Sequence, residues 1–256
     1  MDMPANSFKR SLGGGALPVG TWLMSASQSA AEALGSLGFD FLVVDMEHVP
    51  IDIPHAMTLL QAIAGTPAQA IVRLAANDPV LVKRAMDVGA QTLMFPFVQN
   101  EDEAARAVAA TKYPPQGTRG FAAMHRGSRY GTVADYAKRA NDEACVIVQL
   151  ETPSAIERLD AIAAVPGVDA IFLGPGDLAA TSGHIGEIAH ADVQDALRRC
   201  AEACRRLGMP IGTVGPTPEM VKTFVGYGYS VVAVASDMGM MMRQAGDFLA
   251  RVRGAR

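Results

Sequence analysis

Short apolar runs rich in β-branched residues recur along the chain at 19–23, 39–45, 69–73, 92–96, 145–150, 168–173, 209–214 and 230–235. Stretches with helical spacing separate them. Runs this short read as strands, and the intervening helices imply parallel pairing between neighbours. Several, such as 39–45, are almost unbroken in apolar character, which fits strands buried on both faces. About eight such units predict an α/β protein of the (β/α)8 barrel type, a TIM barrel, and its 256 residues suit one domain spanning 1–256. Residues 1–17 read as an N-terminal arm, 113–142 as a lid-like excursion rich in Gly, Pro and Arg, and 237–256 as a terminal helix.

The local punctuation agrees. Ser27 and Gly38 bracket the first helix, Asn77-Asp78-Pro79 opens another, and Thr152 caps a helix starting at Pro153. With 22 basic and 26 acidic residues and a net charge of −4, the chain offers no electrostatic footprint for nucleic acid. Its partner is expected to be a small molecule. Cys145, Cys200 and Cys204 form neither a disulfide framework nor a zinc spacing, so buried free thiols in a reducing, cytoplasmic setting are expected. No signal peptide or membrane span is expected.

Function is legible in where the polar residues fall. Asp45, Glu47, His48, Arg73, Glu151 and Asp177 all sit at or just past the carboxyl ends of expected strands, the end of a barrel that carries chemistry. Glu151 and Asp177 close neighbouring strands. Singly, each could be an acidic residue at a helix start; together, two hard oxygen ligands suit Mg²⁺ or Mn²⁺. Asp45 is placed to fix the tautomer of His48 and raise its basicity. The Gly174-Pro175-Gly176-Asp177 turn could present amides to a substrate carboxylate. His125 falls in the excursion, and His55, His184 and His190 read as solvated. None of Lys9, Lys83, Lys112, Lys138 and Lys222 falls on an expected strand, which disfavours a Schiff base and leaves carbonyl polarisation to a metal.

Together the segments 38–41, 45–48, 72–79, 87–92, 113–120, 148–152 and 174–178 resemble the metal-dependent class II pyruvate aldolases of the 4-hydroxy-2-oxoheptanedioate aldolase type, within the aldolase/citrate lyase superfamily. The resemblance implies a barrel that reversibly cleaves 4-hydroxy-2-oxo acids to pyruvate, or a close 2-oxo acid such as hydroxypyruvate, and an aldehyde. It implies Glu151 and Asp177 as ligands to Mg²⁺, Mn²⁺ or Co²⁺, with no organic cofactor. Arg73 matches the arginine at the pyruvate oxygen and His48 the base, with Asp45 and Asp87 as its carboxylate helpers. Gln149, Gly174, Pro175, Gly176 and Asp177 are expected to contact substrate, as are Trp22, Val214 and Arg119. It also implies a homo-oligomer, a hexamer of three dimers or two trimers that exchanges the last helix.

Gly176 stands where alanine is usual, Val214 where many relatives carry leucine near the aldehyde, and His125 to Gly127 in a variable stretch. Two rivals remain: an acyl-CoA lyase of the same superfamily, for which Arg119, Arg126 and Arg129 are the candidate nucleotide contacts, and a non-catalytic barrel that binds a metal and a keto acid.

Overall fold

In the computed structural model, which describes residues 1–254, all eight expected strands form: β1 (Val19–Leu23), β2 (Phe41–Asp45), β3 (Gln69–Arg73), β4 (Thr92–Phe95), β5 (Cys145–Leu150), β6 (Ala170–Leu173), β7 (Ile211–Gly215) and β8 (Val231–Ser236). Each pairs in parallel with the next, and β8 returns to β1 to close the barrel. The helices are α1 (Ser7–Ser11), α2 (Gln28–Leu37), α3 (Ile53–Ile63), α4 (Pro79–Asp87), α5 (Glu101–Thr111), α6 (Tyr136–Glu143), α7 (Pro153–Glu157), α8 (Leu159–Ala163), α9 (Pro175–Thr181), α10 (Ala191–Leu207), α11 (Pro218–Tyr227) and α12 (Asp237–Arg253). Positions 255 and 256 of the expected terminal segment lie outside the described residues.

The caps read from sequence are made: Ser27 accepts from the amide of Ala30, Asp78 from those of Val80 and Leu81, and Thr152 from that of Ala155. Two expectations shift. The helix after Pro153 breaks at Arg158 into α7 and α8, and Gly174 to Asp177, read as a turn, forms the N-cap and first turn of α9.

Two apolar cores follow from the pleat. Leu42, Val44, Val72, Val146, Val148, Ile171 and Leu173 face the helices, while Phe41, Val43, Ile71, Cys145, Ile147 and Phe172 fill the barrel. A Cβ on Gly20 would meet the Phe41 ring at 2.3 Å, so only glycine lets β1 pass that ring. The arm caps the N-terminal end of the barrel. Phe8 on α1 is 2% exposed and packs edge-on against Phe41, with ring centroids 5.4 Å apart. Cys145, Cys200 and Cys204 are buried free thiols, as expected. Burial pushes Cys200 and Cys204 up to about 12, so neither is a thiolate near neutral pH.

The excursion at 113–142 does not cover the mouth of its own barrel. It follows a helix and precedes a strand, so it lies at the strands' N-terminal ends. Its contacts agree: Arg126 donates to the carbonyls of Val88 (2.7 Å) and Leu60 (3.4 Å), and Met1 at the start of the arm donates to the Thr132 carbonyl (3.1 Å).

Candidate active site

The alternation that sends Phe41 and Val43 inward carries Asp45 inward at the end of β2. The same count brings in Arg73 after Ile71, and Gln149 and Glu151 after Ile147. Asp45 and Arg73 are directly opposite in the β2–β3 register, and the arginine grips the carboxylate through two bonds, Nε to Oδ1 at 3.0 Å and Nη2 to Oδ2 at 2.6 Å. Its third nitrogen, Nη1, lies 2.9 Å from Glu47 Oε2, an ion pair without hydrogen-bond alignment. The guanidinium also sits 5.4 Å from the Trp22 ring centre, and Trp22 packs on Phe172 at 5.5 Å. A bidentate pair stacked on an aromatic ring fixes a buried charge in one orientation.

That arrangement corrects the role expected of Asp45. Its Oδ1 also accepts the amides of Glu47 (3.0 Å) and His48 (3.3 Å). The carboxylate is therefore occupied by Arg73 and by the backbone turn, and it positions the His48 main chain rather than its ring. His48 itself is exposed at the rim.

Glu151 is 1% exposed at the end of β5. Its Oε1 accepts from Gln149 Nε2 at 3.0 Å and its Oε2 from the Phe97 amide at 2.9 Å. Phe97 has φ of 54°, a left-handed conformation uncommon for a bulky residue, which aims its N–H at the carboxylate. A Cβ on Gly174 would meet Glu151 Oε1 at 2.4 Å, so glycine is required for the carboxylate to lie where it does. Across that gap Asp177 stands exposed in the first turn of α9. Thr181 Oγ1 reaches the Glu151 carbonyl (2.7 Å) and the Asp177 carbonyl (2.8 Å), its single proton shared between them, and so links the two acidic segments.

The electrostatics show what this pocket lacks. Burial pushes the Glu151 carboxyl up to about 8, and the charges of Asp177 and Glu47 push the same way. Burial also raises Glu47, partly offset by Arg73. Gln149 Oε1 is buried without a donor. Hard carboxylate oxygens that raise one another's proton affinity, beside an orphaned buried acceptor, fit a divalent cation carrying water or substrate oxygen. Glu47 was placed at the mouth from sequence but given no role, and the Phe97 amide was absent from the sequence-derived site. Nothing in the sequence marks the left-handed Phe97.

Several expected residues are not brought to this mouth. Asp87 ends α4, at the strands' N-terminal end, where Arg119 donates to it at 2.8 Å. Neither helps His48 within one chain, because helices return antiparallel to the strands. The acyl-CoA reading loses its nucleotide contacts for the same reason: Arg119 and Arg126 are engaged there, and Arg129 belongs to the same excursion. His55 is not solvated, since its Nε2 meets the Ala26 carbonyl at 2.7 Å. Val214 is partly buried against the side chains that fill the barrel. A Cβ on Gly176 would touch nothing within 4 Å, so alanine fits there without a clash in this chain. Lys9 and Lys112 bond at the opposite end, to the Ala144 and Asn141 carbonyls, which leaves them no part in a Schiff base at the mouth.

A closed parallel barrel whose strand ends gather acidic residues around a buried arginine has the polar mouth at which barrel enzymes carry their chemistry. The family description HpcH/HpaI aldolase/citrate lyase matches residues 19–244. The chain is 57% identical over 237 residues, 93% of each chain, to a 2-dehydro-3,6-dideoxy-6-sulfogluconate aldolase of Pseudomonas putida. It is 42% identical to a pyruvate aldolase of Rhizobium etli over 98% of this chain and 99% of the relative. A solved HpcH/HpaI aldolase/citrate lyase family protein of Burkholderia cenocepacia superposes with a TM-score of 0.95 at 40% identity, covering 98% of this chain and 100% of that one. The chain belongs to the HpcH/HpaI aldolase/citrate lyase family. It is an aldolase, a carbon–carbon lyase.

Proposed function

We propose that the substrate is a six-carbon 4-hydroxy-2-oxo-3-deoxy acid ending in an anionic group, cleaved reversibly to pyruvate and a three-carbon anionic aldehyde. Pyruvate formation is supported by the name of the Rhizobium relative, and the anionic tail by that of the Pseudomonas relative. The observation that carries the chemistry is the set of Glu47, Glu151 and Asp177 at the strand ends, where burial first and then the charges of Asp177 and Glu47 push the Glu151 carboxyl up to about 8.

Glu151 and Asp177 would hold the divalent metal, with Mg²⁺ or Mn²⁺ favoured by oxygen donors. Bound there, it supplies Lewis acidity to the keto oxygen and carboxylate of the substrate. His48, acting through a water, takes the proton of the 4-hydroxyl; the C3–C4 bond breaks, its electron pair enters the pyruvate enolate, and the aldehyde departs. Arg73, held by Asp45 and Trp22, faces the enolate oxygen as charge develops, a preorganised term that needs no rearrangement during reaction. Return of the proton to C3 gives pyruvate. The amides at Gly176 and Asp177 receive the substrate carboxylate, and Gln149 the keto side.

The assembly is proposed as a homo-oligomer built through α12. That helix buries none of its residues and exposes Met241, Met242, Phe248, Leu249 and Val252. Asp87 and Arg119 keep their expected roles only at the mouth of a neighbouring subunit. Arg119 Nε and Nη1 are buried without partners.

The test is release of pyruvate from 2-oxo-3-deoxy acids with sulfonate, carboxylate or hydroxyl at C6, each with Mn²⁺ and with chelator. Metal-dependent cleavage favouring the anionic tails is expected. Preference for the neutral tail would overturn the substrate assignment. Methyl-proton exchange of pyruvate in D₂O that ignored both chelator and His48→Ala would overturn the mechanism.

A further inference from the structure

Away from the pocket, a second group of side chains has the composition of a metal site. His184, His190 and Asp192 gather where the segment after α9 enters α10, with one ligand atom from each inside a 4.8 Å span. His184 Nε2 lies 3.4 Å from Asp192 Oδ2, and His190 Nδ1 lies 3.8 Å from the same oxygen. Tetrahedral bonds of about 2.0–2.1 Å put neighbouring ligand atoms roughly 3.3 Å apart. Of the three edges, that from His184 to Asp192 already matches, that from His190 to Asp192 needs a small closure, and that between the two histidines lies within 4.8 Å.

The backbone holds the three on one frame. The His184 amide donates to Ala179 (2.8 Å), Glu187 to His184 (2.9 Å), and His190 to Glu187 (2.8 Å), while His190 Nδ1 accepts the Asp192 amide at 3.3 Å as the cap of α10. The two imidazoles stack 3.5 Å apart at 15°. A nitrogen lone pair lies in its ring plane, so parallel rings cannot both address one ion. Capture therefore tilts one ring about χ2, a broad torsion, and replaces the long Asp192 amide contact. Solvent reaches all three, with side-chain exposures of 25%, 35% and 77%. His184 and Asp192 also border a cavity of about 700 Å³ between α7–α8 and α9–α10, with Thr181 and Arg199 on its wall.

We propose that His184, His190 and Asp192 form a second metal site, separate from the reaction pocket, that takes Zn²⁺ or a related borderline ion such as Co²⁺. Two imidazoles and one carboxylate favour such ions over Mg²⁺, and three protein ligands leave a fourth position for water. An ion there ties the segment after α9 to the start of α10.

The test separates the two sites. A chain carrying Glu151→Gln and Asp177→Asn, which remove the expected pocket ligands, is titrated with Zn²⁺ by calorimetry and with Co²⁺ by visible absorption. One ion per chain is expected, with affinity falling roughly tenfold or more on adding His184→Gln or His190→Gln. Binding indifferent to both histidine changes, or no Zn²⁺ uptake, would overturn the proposal. Should the pocket variants not fold, zinc-edge anomalous diffraction from wild-type crystals decides: a peak among the three side chains supports the site, and its absence there overturns it.

Discussion

At the C-terminal ends of the strands, Glu47 and buried Glu151 hold their protons more tightly than ordinary carboxylates and Gln149 keeps an unanswered oxygen; at the N-terminal ends Arg119 of the excursion keeps two buried nitrogens unpaired, but the arm answers the polar groups it covers. There Lys9 pairs with Asp169 at 3.3 Å, Asn6 donates to the Glu143 carbonyl at 2.9 Å and to Thr92 Oγ1 at 3.0 Å, and Phe8 fills the barrel axis. One end is held closed by its own chain. The other is held in a strained electrostatic state that a cation would relieve. The contrast teaches that chemistry sits where folding leaves polar groups short of partners, and stability where it does not.

The sharpest way to break that contrast is Glu151→Gln. Metal-dependent cleavage should fall by about 10³-fold or more, since a ligand for Lewis acidity is lost. Without metal the variant should be the more stable protein. Glu151 in the folded state titrates near 8, above the unfolded value, so the folded state holds more protons between those limits and wild-type stability declines as pH rises through them. The melting advantage of the variant should therefore grow from about pH 4.5 to 8 and then level. An unstabilised, active variant would dissolve the distinction between the two ends.

At the other end, Phe8→Ala should lose about 3–5 kcal/mol through the cavity it leaves, read by denaturant unfolding, while kcat of the folded fraction stays unchanged. A lost kcat with intact stability would show that the plug reaches the chemistry. Metal binding to the wild-type pocket should strengthen roughly tenfold per pH unit toward pH 8, as the cation displaces the Glu151 proton, and flatten above it. A pH-independent Mn²⁺ affinity would remove Glu151 from the ligand set. Thr181→Val should weaken Mn²⁺ several-fold without unfolding the barrel, and Thr181→Ser should restore it, because the hydroxyl and not the methyl group bonds the Glu151 and Asp177 carbonyls. Gly176→Ala should change turnover less than about twofold, since its Cβ enters open space.

Much of this was readable beforehand. The caps at Ser27, Asp78 and Thr152 and the apolar runs located the strands and helices, because capping and periodicity are local physics. Asp45, Arg73, Glu151 and Asp177 were recognisable by position, since strand ends face one mouth in any parallel barrel. The excursion at 113–142 was misplaced although the sequence held the answer: a helix-to-strand connection must lie at the other end. Asp87, at the end of α4, falls under the same rule. The partner of Asp45 was less accessible. Choosing Arg73 over the nearby His48 requires the β2–β3 register, which sets Asp45 beside Arg73.

By itself, then, the sequence determined a parallel (β/α)8 barrel, an aldolase family and an acidic, arginine-bearing mouth, because element type, connection length and end position are encoded within short windows. Tertiary structure alone decided which carboxylates feel one another's charge, that Phe8 plugs the axis, that Phe97 turns left-handed to hold Glu151, and that Thr181 ties α9 to the end of β5. The strands are buried on both faces, so hydropathy cannot show which side chains point inward; only barrel closure converts their alternation into a site.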